Sequence, residues 1–363
     1  MIKIGVVGCG AIARRAHLPG FSPVGSPQAG LAYGGFKYGG NKESVVQAVC
    51  DQNRDKAVEA AKIFGVEKIY TDWHELVKNP DIDAISICTP NYLHAPIAIE
   101  AAKNGKHVLV EKPMATTMSD AQTMVAAAQS AGVVLMVEQT ERFNPVNEIA
   151  RDVIHQGDLG KIFQVRTRSS HSGPDNWSPG SDWFFNKECA GFGSMADLGI
   201  HKLDLIRWLL GEEIVQVAGF TGTLAKPNCE VEDNAVGVLR FKSGAMGVLE
   251  SSWTTSPGEG STSIYGSEGN IKMGAVADVP MAIEFSPKRE VGFSLSLPSG
   301  RIEKCRLVPN IPAASRSGGP FNHFVDCIKT GAAPISSGSD NLKSLEVILA
   351  ILESSATGKV INL

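Results

Sequence analysis

Apolar runs and amphipathic stretches alternate through the first part of the chain. Ile2–Val7 reads as a strand and Ala11–Phe21 as a short helix. Val45–Cys50 reads as a second strand. The helix after it carries Ala57, Ala60, Ala61 and Phe64 at helical spacing. Lys68–Tyr70 is a short strand. Ala84–Cys88 is a continuous apolar run, as a strand covered on both faces requires. Helix Pro96–Lys103, strand His107–Val110, helix Asp120–Ser130 and strand Val133–Val137 complete the series. Gly105 is placed to end the first of these helices and Ser119 to cap the second. Strict alternation predicts a parallel, doubly wound α/β sheet.

The pattern changes near residue 142. A helix over Val146–His155 ends at Gly157, and strands then dominate: Ile162–Ser169, Ile214–Thr221, Ala235–Phe241, Ala245–Trp253 and Ser261–Tyr265. Lys242-Ser243-Gly244 reads as a hairpin turn. Helices are expected at Met195–Leu210, Phe321–Thr330 and Asn341–Ala356. Antiparallel strands with grouped helices describe an α+β domain. The expected division is 1–141 and 142–363. At 363 residues the length alone allows two or three domains.

Composition adds exclusions. Lys plus Arg number 34 against 38 Asp plus Glu, a net charge of −4, so no electrostatic reason points to nucleic acid or an anionic membrane. No run approaches the roughly eighteen apolar residues that a membrane span needs. No basic start with an apolar core reads as a signal peptide, so a cytoplasmic location is expected. Seven cysteines without C-x-x-C, and histidines without paired ligand spacing, predict neither a disulfide framework nor a metal site. Glycine is in excess, 38 residues against a usual ~7% of a chain. Six of these glycines crowd into Ser22–Ser44, where a connection of a few residues is usual. That insert reads as a surface excursion or oligomer contact, with a fold-back toward the adenine end of a cofactor as the alternative.

Gly8-Cys9-Gly10-Ala11-Ile12-Ala13 fits G-x-G-x-x-G/A between a strand and a helix. Gly8 permits the tight turn, Gly10 lets the backbone approach a pyrophosphate, and Ala13 allows close helix packing. Asp51 ends the second strand, where a carboxylate accepts ribose hydroxyls and repels a 2′-phosphate. NAD is therefore expected over NADP. Arg54, nearby, is read as lying on the solvated start of the next helix.

Two groups carry candidate chemistry. Glu111-Lys112-Pro113 follows a strand at its carboxyl end, where open α/β sheets bind ligands. Pro113 holds Lys112 in an extended segment. Asp197 and His201 are four apart and share a face if helical. An imidazole suits acceptance of a hydroxyl proton near neutral pH, and a lysine steadies a developing alkoxide. Asp197 is read as orienting His201 or holding a substrate hydroxyl.

Taken in order, the glycine turn, the strand-end acid, Thr89-Pro90-Asn91-Tyr92-Leu93-His94, Glu111-Lys112-Pro113, and a Gly-rich run into Asp197, His201 and Asp204 resemble the Gfo/Idh/MocA family of nicotinamide-dependent sugar and polyol oxidoreductases. The resemblance covers nearly the whole chain. It implies a Rossmann domain followed by an α+β domain with a large open, mainly antiparallel sheet. It implies substrate in the cleft between them and assembly as a homodimer or homotetramer. Carried over by position, Lys112, Asp197 and His201 are catalytic. Gly8, Gly10, Ala11, Ile12, Asp51, Thr89, Asn91, His94, Glu111 and Arg142 contact the cofactor. Asn144 and His171 join Lys112, Asp197 and His201 at the substrate, and Trp177 and Trp183 either stack on a sugar or pack in the core. The segment Ser169–Lys187 belongs to the part that varies with substrate.

Three functions compete at this stage. The first is an NAD-dependent dehydrogenase acting on a ring hydroxyl of a sugar, sugar derivative or cyclitol. The second is redox-neutral glycoside cleavage through transient sugar oxidation. The third is a non-catalytic NAD or sugar sensor, against which the joint presence of Lys112, Asp197 and His201 counts.

Overall fold

The computed structural model describes residues 1–23, 32–33, 36–37, 40–178, 180–276, 278–285, 298–303 and 305–363. Most of the Ser22–Ser44 insert lies outside the described residues. Its described residues include two short paired strands, β2 (Ala32–Tyr33) and β3 (Phe36–Lys37).

The chain forms two compact units. The first comprises Met1–Thr140, Glu188–Gly191 and Arg316–Leu342. Its strands are β1 (Ile2–Val7), β4 (Ser44–Cys50), β5 (Lys68–Tyr70), β6 (Ala84–Ile87), β7 (His107–Val110) and β8 (Leu135–Val137). They form one all-parallel sheet in the order β5-β4-β1-β6-β7-β8. Helices follow the strands, and β6 is buried at every position because both faces are covered. The order reverses between β1 and β6, which is the switch point where such sheets bind ligands.

The elements of this unit lie within a few residues of their expected limits, with three differences. The helix at Met118–Ala131 is capped by Thr117, whose side chain accepts the Asp120 N–H, and not by Ser119. A six-residue helix, Trp73–Lys78, was not expected; it is too short for its two buried positions to show a period. The segment Arg316–Leu342 packs with the first unit and not with the domain expected to run to 363. The cause is aromatic: Phe321 meets His17 and Phe21 edge-on, each at 5.0 Å between ring centroids, and leaves no room for a Cβ at Gly20.

The second unit holds Glu141–Lys187, Phe192–Ser315 and Lys343–Leu363. Its strands are β9 (Ile162–Ser170), β10 (Ile214–Gly222), β11 (Asn234–Phe241), β12 (Met246–Ser252), β13 (Glu259–Gly266), β14 (Gly269–Met273), β15 (Met281–Phe285), β16 (Gly300–Glu303), β17 (Arg306–Pro309) and β18 (Ile361–Asn362). They form a ten-stranded sheet, β16-β17-β15-β14-β13-β9-β12-β11-β10-β18. Every described pairing is antiparallel except β9 with β12, near the centre. One face is covered by helices, and the other carries exposed Phe220, Val236, Val238 and Met246, which the register places on the same side. No helix among the described residues is long and apolar enough to cross a membrane.

Candidate active site

In the first unit, β1 ends in the glycine turn. Gly8 has φ +92°, and a Cβ there would lie 2.5 Å from the Cys88 carbonyl oxygen at the end of β6. Glycine is thus required twice over at the switch point, by backbone conformation and by space. A Cβ at Gly10 would meet no protein atom within 4 Å, so packing alone does not demand glycine there. Ala11 and Ile12 open the helix, and Ala13 is fully buried. Residues Ala13–His17 form a π-helical turn closed by the Leu18 N–H on the Ala13 carbonyl.

Asp51 follows β4 as expected. Its Oδ2 accepts the Cys9 N–H (2.9 Å) and its Oδ1 the Asn53 N–H (2.9 Å). Asn53, not Asp51, caps the next helix. An ionised carboxylate has about four acceptor positions, so two such bonds leave capacity for ribose hydroxyls. Thr89 Oγ1 is buried at the end of β6 with no hydrogen-bond partner. A bare Gly10 backbone, an orphaned Thr89 hydroxyl and a strand-end carboxylate together fit a dinucleotide.

Other expected cofactor residues have partners inside the unit. Asn91 donates its amide N–H to the Ala190 carbonyl (2.8 Å), which fastens Glu188–Gly191 to this unit. His94 lies between the carbonyls of Pro113 (Nδ1, 2.8 Å) and Thr89 (Nε2, 2.9 Å), of which the neutral ring donates to one, and burial pushes its pKa down. It thereby ties the segment after Lys112 to the end of β6. Glu111 pairs through Oε1 with His17 Nε2 (2.9 Å), whose Nδ1 meets the Ser86 hydroxyl (2.7 Å). Glu111 Oε2 also accepts the Lys112 N–H (3.2 Å). Glu138, one residue past β8, lies beside this group. Burial and then the charge of Glu111 push its carboxyl up to about 8. His17 and Glu138 belong to no motif in the sequence.

In the second unit, the run into the candidate helix is set by Glu232. Its carboxylate accepts the N–H groups of Gly193 and Met195, both at 2.9 Å, although burial holds its pKa high. A Cβ at Gly193 would fall 2.0 Å from the Glu232 carbonyl oxygen. Met195–Gly199 is π-helical and Ile200–Leu210 is α-helical. Asp197 lies in the π turn, and His201 is the second residue of the α-helix. Single π turns of this kind recur at functional sites.

Asp197 is 8% exposed. Its Oδ2 accepts two N–H groups, from Trp253 Nε1 (2.9 Å) and His171 Nε2 (3.1 Å). His171 follows β9 and Trp253 follows β12, the two strands paired in parallel. Glu141, one residue before Arg142, pairs with Lys202 (2.9 Å). Burial pushes the Glu141 carboxyl up, but Lys202, His201 and Asn147 outweigh it and leave the pKa low.

Two expected contacts have other partners. Arg142 is 3% exposed and bidentate to Asp204: Nε donates to Oδ2 and Nη2 to Oδ1, each at 2.6 Å. The Ser344 hydroxyl donates to the same carboxylate (2.9 Å). Arg142, expected at the cofactor, is here half of a buried ion pair. Asn144, expected at the substrate, caps helix Pro145–His155 by accepting the Val146 N–H. Trp183 stacks on Phe184 at 3.8 Å. The Trp177 side chain lies outside the described residues.

A unit with a glycine turn at a parallel-sheet switch point, followed by a unit carrying a carboxylate and an imidazole on one helix start, is the architecture of a nucleotide-dependent oxidoreductase. The family model described as Oxidoreductase family, NAD-binding Rossmann fold, matches residues 2–139, and that of the GFO/IDH/MocA C-terminal domain matches residues 148–272. The chain belongs to the Gfo/Idh/MocA family of oxidoreductases. Levoglucosan dehydrogenase of Pseudarthrobacter phenanthrenivorans is 34% identical over 254 residues, 62% of this chain and 64% of that protein, just under two thirds of its length. The scyllo-inositol 2-dehydrogenase (NAD(+)) of Bacillus subtilis is 28% identical over 87% of each chain. Among solved structures, levoglucosan dehydrogenase in complex with NADH and levoglucosan superposes with a TM-score of 0.80 at 25% identity, over 99% of both chains. Aldose-aldose oxidoreductase from Caulobacter crescentus complexed with glycerol gives 0.79 at 29% identity, over 100% of this chain and 99% of that one.

Proposed function

We propose that the protein is an NAD-dependent dehydrogenase acting on a ring hydroxyl of a sugar, sugar derivative or cyclitol. The observation that carries this reading is the Asp197 carboxylate, fixed by His171 and Trp253 one helical turn before His201. NAD, when bound, supplies the hydride acceptor. Gly8, Gly10, Ala11 and Ile12 would receive its pyrophosphate, Asp51 its adenosine ribose and Thr89 a further polar group. His201 accepts the proton of the reacting hydroxyl, Lys112 steadies the developing alkoxide, and Asp197 orients the imidazole or a neighbouring hydroxyl. Support comes from relatives named for levoglucosan and scyllo-inositol, both polyhydroxylated rings.

A panel of sugars, anhydrosugars and inositols with NAD, followed by NADH absorbance, tests the reading. Turnover on one ring class is the expected outcome. Silence across the panel, or a cleaved glycoside without NADH, would overturn it in favour of a sensor or redox-neutral cleavage. The same reading makes the protein a cytoplasmic homodimer or homotetramer. The exposed face at Phe220, Val236, Val238 and Met246 supports self-association, and sedimentation velocity measures it.

A further inference from the structure

In the second unit, the turn after β9 is held by a lysine that stands outside every sequence motif. Lys226 Nζ donates to the Ser172 carbonyl (2.7 Å) and to both carboxylate oxygens of Asp175 (2.7 and 2.9 Å). The backbone around Lys226 is itself fixed. Fully buried Asp233 accepts the N–H groups of Leu224 (2.8 Å), Ala225 (2.8 Å) and Lys226 (2.9 Å). The Asp233 carbonyl also accepts the Trp253 N–H (2.8 Å).

Gly173 lies at the centre of the pinned turn, with φ +103°. A Cβ there would sit 2.5 Å from Lys226 Cε and 2.6 Å from Asp175 Oδ1. Lysine, carboxylate and bare glycine thus fit together as one piece. The Gly173 N–H donates to His171 Nδ1 (2.9 Å). A nitrogen that accepts a hydrogen bond carries no proton, so the neutral ring carries its proton on Nε2. That N–H is the one donated to Asp197 Oδ2.

We propose that Lys226 is a positioning residue: by pinning the Ser172–Asp175 turn it holds His171 in the Nε2–H tautomer, and through it orients the Asp197 carboxylate. Its effect on turnover rests on the function proposed above; its effect on the imidazole does not. Both His171 ring nitrogens are engaged by protein groups, so His171 acts through Asp197 and not as a proton acceptor. The Ser169–Lys187 segment then has two parts: a pinned turn that serves the carboxylate, and a remainder that can vary with substrate.

The test uses the full chain labelled with 15N-histidine. At neutral pH the native protein is expected to show His171 with a bare Nδ1 and a protonated Nε2. Lys226→Met is expected to move both shifts toward a tautomer mixture and to lower kcat roughly ten- to a hundredfold, with KM for NAD unchanged. Lys226→Arg, which keeps the charge and donors, restores both. Asp175→Asn is the milder second variant, at a half-exposed position; it is expected to move the shifts the same way by less. Unchanged His171 shifts in folded Lys226→Met and Asp175→Asn overturn the proposal. Shifted tautomers with undiminished turnover support the positioning and overturn the catalytic reading of Asp197.

Discussion

Each unit closes a histidine–carboxylate pair at the carboxyl ends of parallel strands, but the parts are exchanged. In the first unit the histidine, His17, comes from a π turn and the carboxylate, Glu111, from a strand end. In the second the carboxylate, Asp197, comes from a π turn and the histidine, His171, from a strand end. The His17 side chain is fully buried, and its second nitrogen faces a hydroxyl that can donate or accept. The His171 side chain is 29% exposed, and its second nitrogen faces a backbone N–H that can only donate. Depth makes the first pair a structural one. A fixed tautomer at a partly exposed position suits the second to chemistry.

This contrast breaks or sharpens in four ways. Turnover gives the largest effect. His201→Ala and Lys112→Met are each expected to lower kcat by about 10²–10⁴-fold on the best substrate, with the unfolding midpoint held. Near-normal turnover in His201→Ala would remove the chemistry from the second pair's neighbourhood. Stability comes next. His17→Ala leaves Glu111 buried without its histidine and should cost about 3–5 kcal/mol in urea unfolding. His171→Ala, at its partly exposed position, should cost about 1 kcal/mol or less. Equal losses would erase the distinction.

The third test is pH. Glu138 sits beside the first pair and holds its proton up to about 8, chiefly because it is buried. An unfolded glutamate releases that proton near ~4.3. Between these values the native state binds a proton that the unfolded chain has lost, so stability falls as pH rises. Relative to Glu138→Gln, the native protein should lose at most about 1.4 kcal/mol per pH unit across that window and level off above it. A parallel stability profile for the two proteins would show that Glu138 ionises normally. The smallest effect concerns Asp51. NAD should bind more tightly than NADP, and Asp51→Ser should narrow the ratio by about tenfold, the lower end for a charged hydrogen bond. Equal affinities in the native protein would make its bonds to Cys9 and Asn53 the whole role of Asp51.

Which parts of this could be read beforehand follows from how local their causes are. Strand β7 matches its expected limits because a buried parallel strand announces itself as a short apolar run bounded by turns. Gly8 was legible because a strand, a turn and a helix adjoin in sequence. The π turns were not, since spacing rules assume 3.6 residues per turn and nothing local marks an i to i+5 bond. The Arg142–Asp204 pair was not legible because its members lie 62 residues apart and a buried bidentate pair leaves no spacing signal. Glu232 and Lys226 were missed for the same reason: each acts on backbone brought near by the sheet.

The parallel pairing of β9 and β12 in the second sheet has a consequence for how this protein can change over generations. Parallel neighbours end on the same edge, so His171 after β9 and Trp253 after β12 arrive together beside Asp197. A one-residue slip in β12 itself would turn Trp253 to the other face and cost the carboxylate its indole. The strands that end beside the carboxylate are therefore held to a fixed count of residues, whatever changes in the solvated turns.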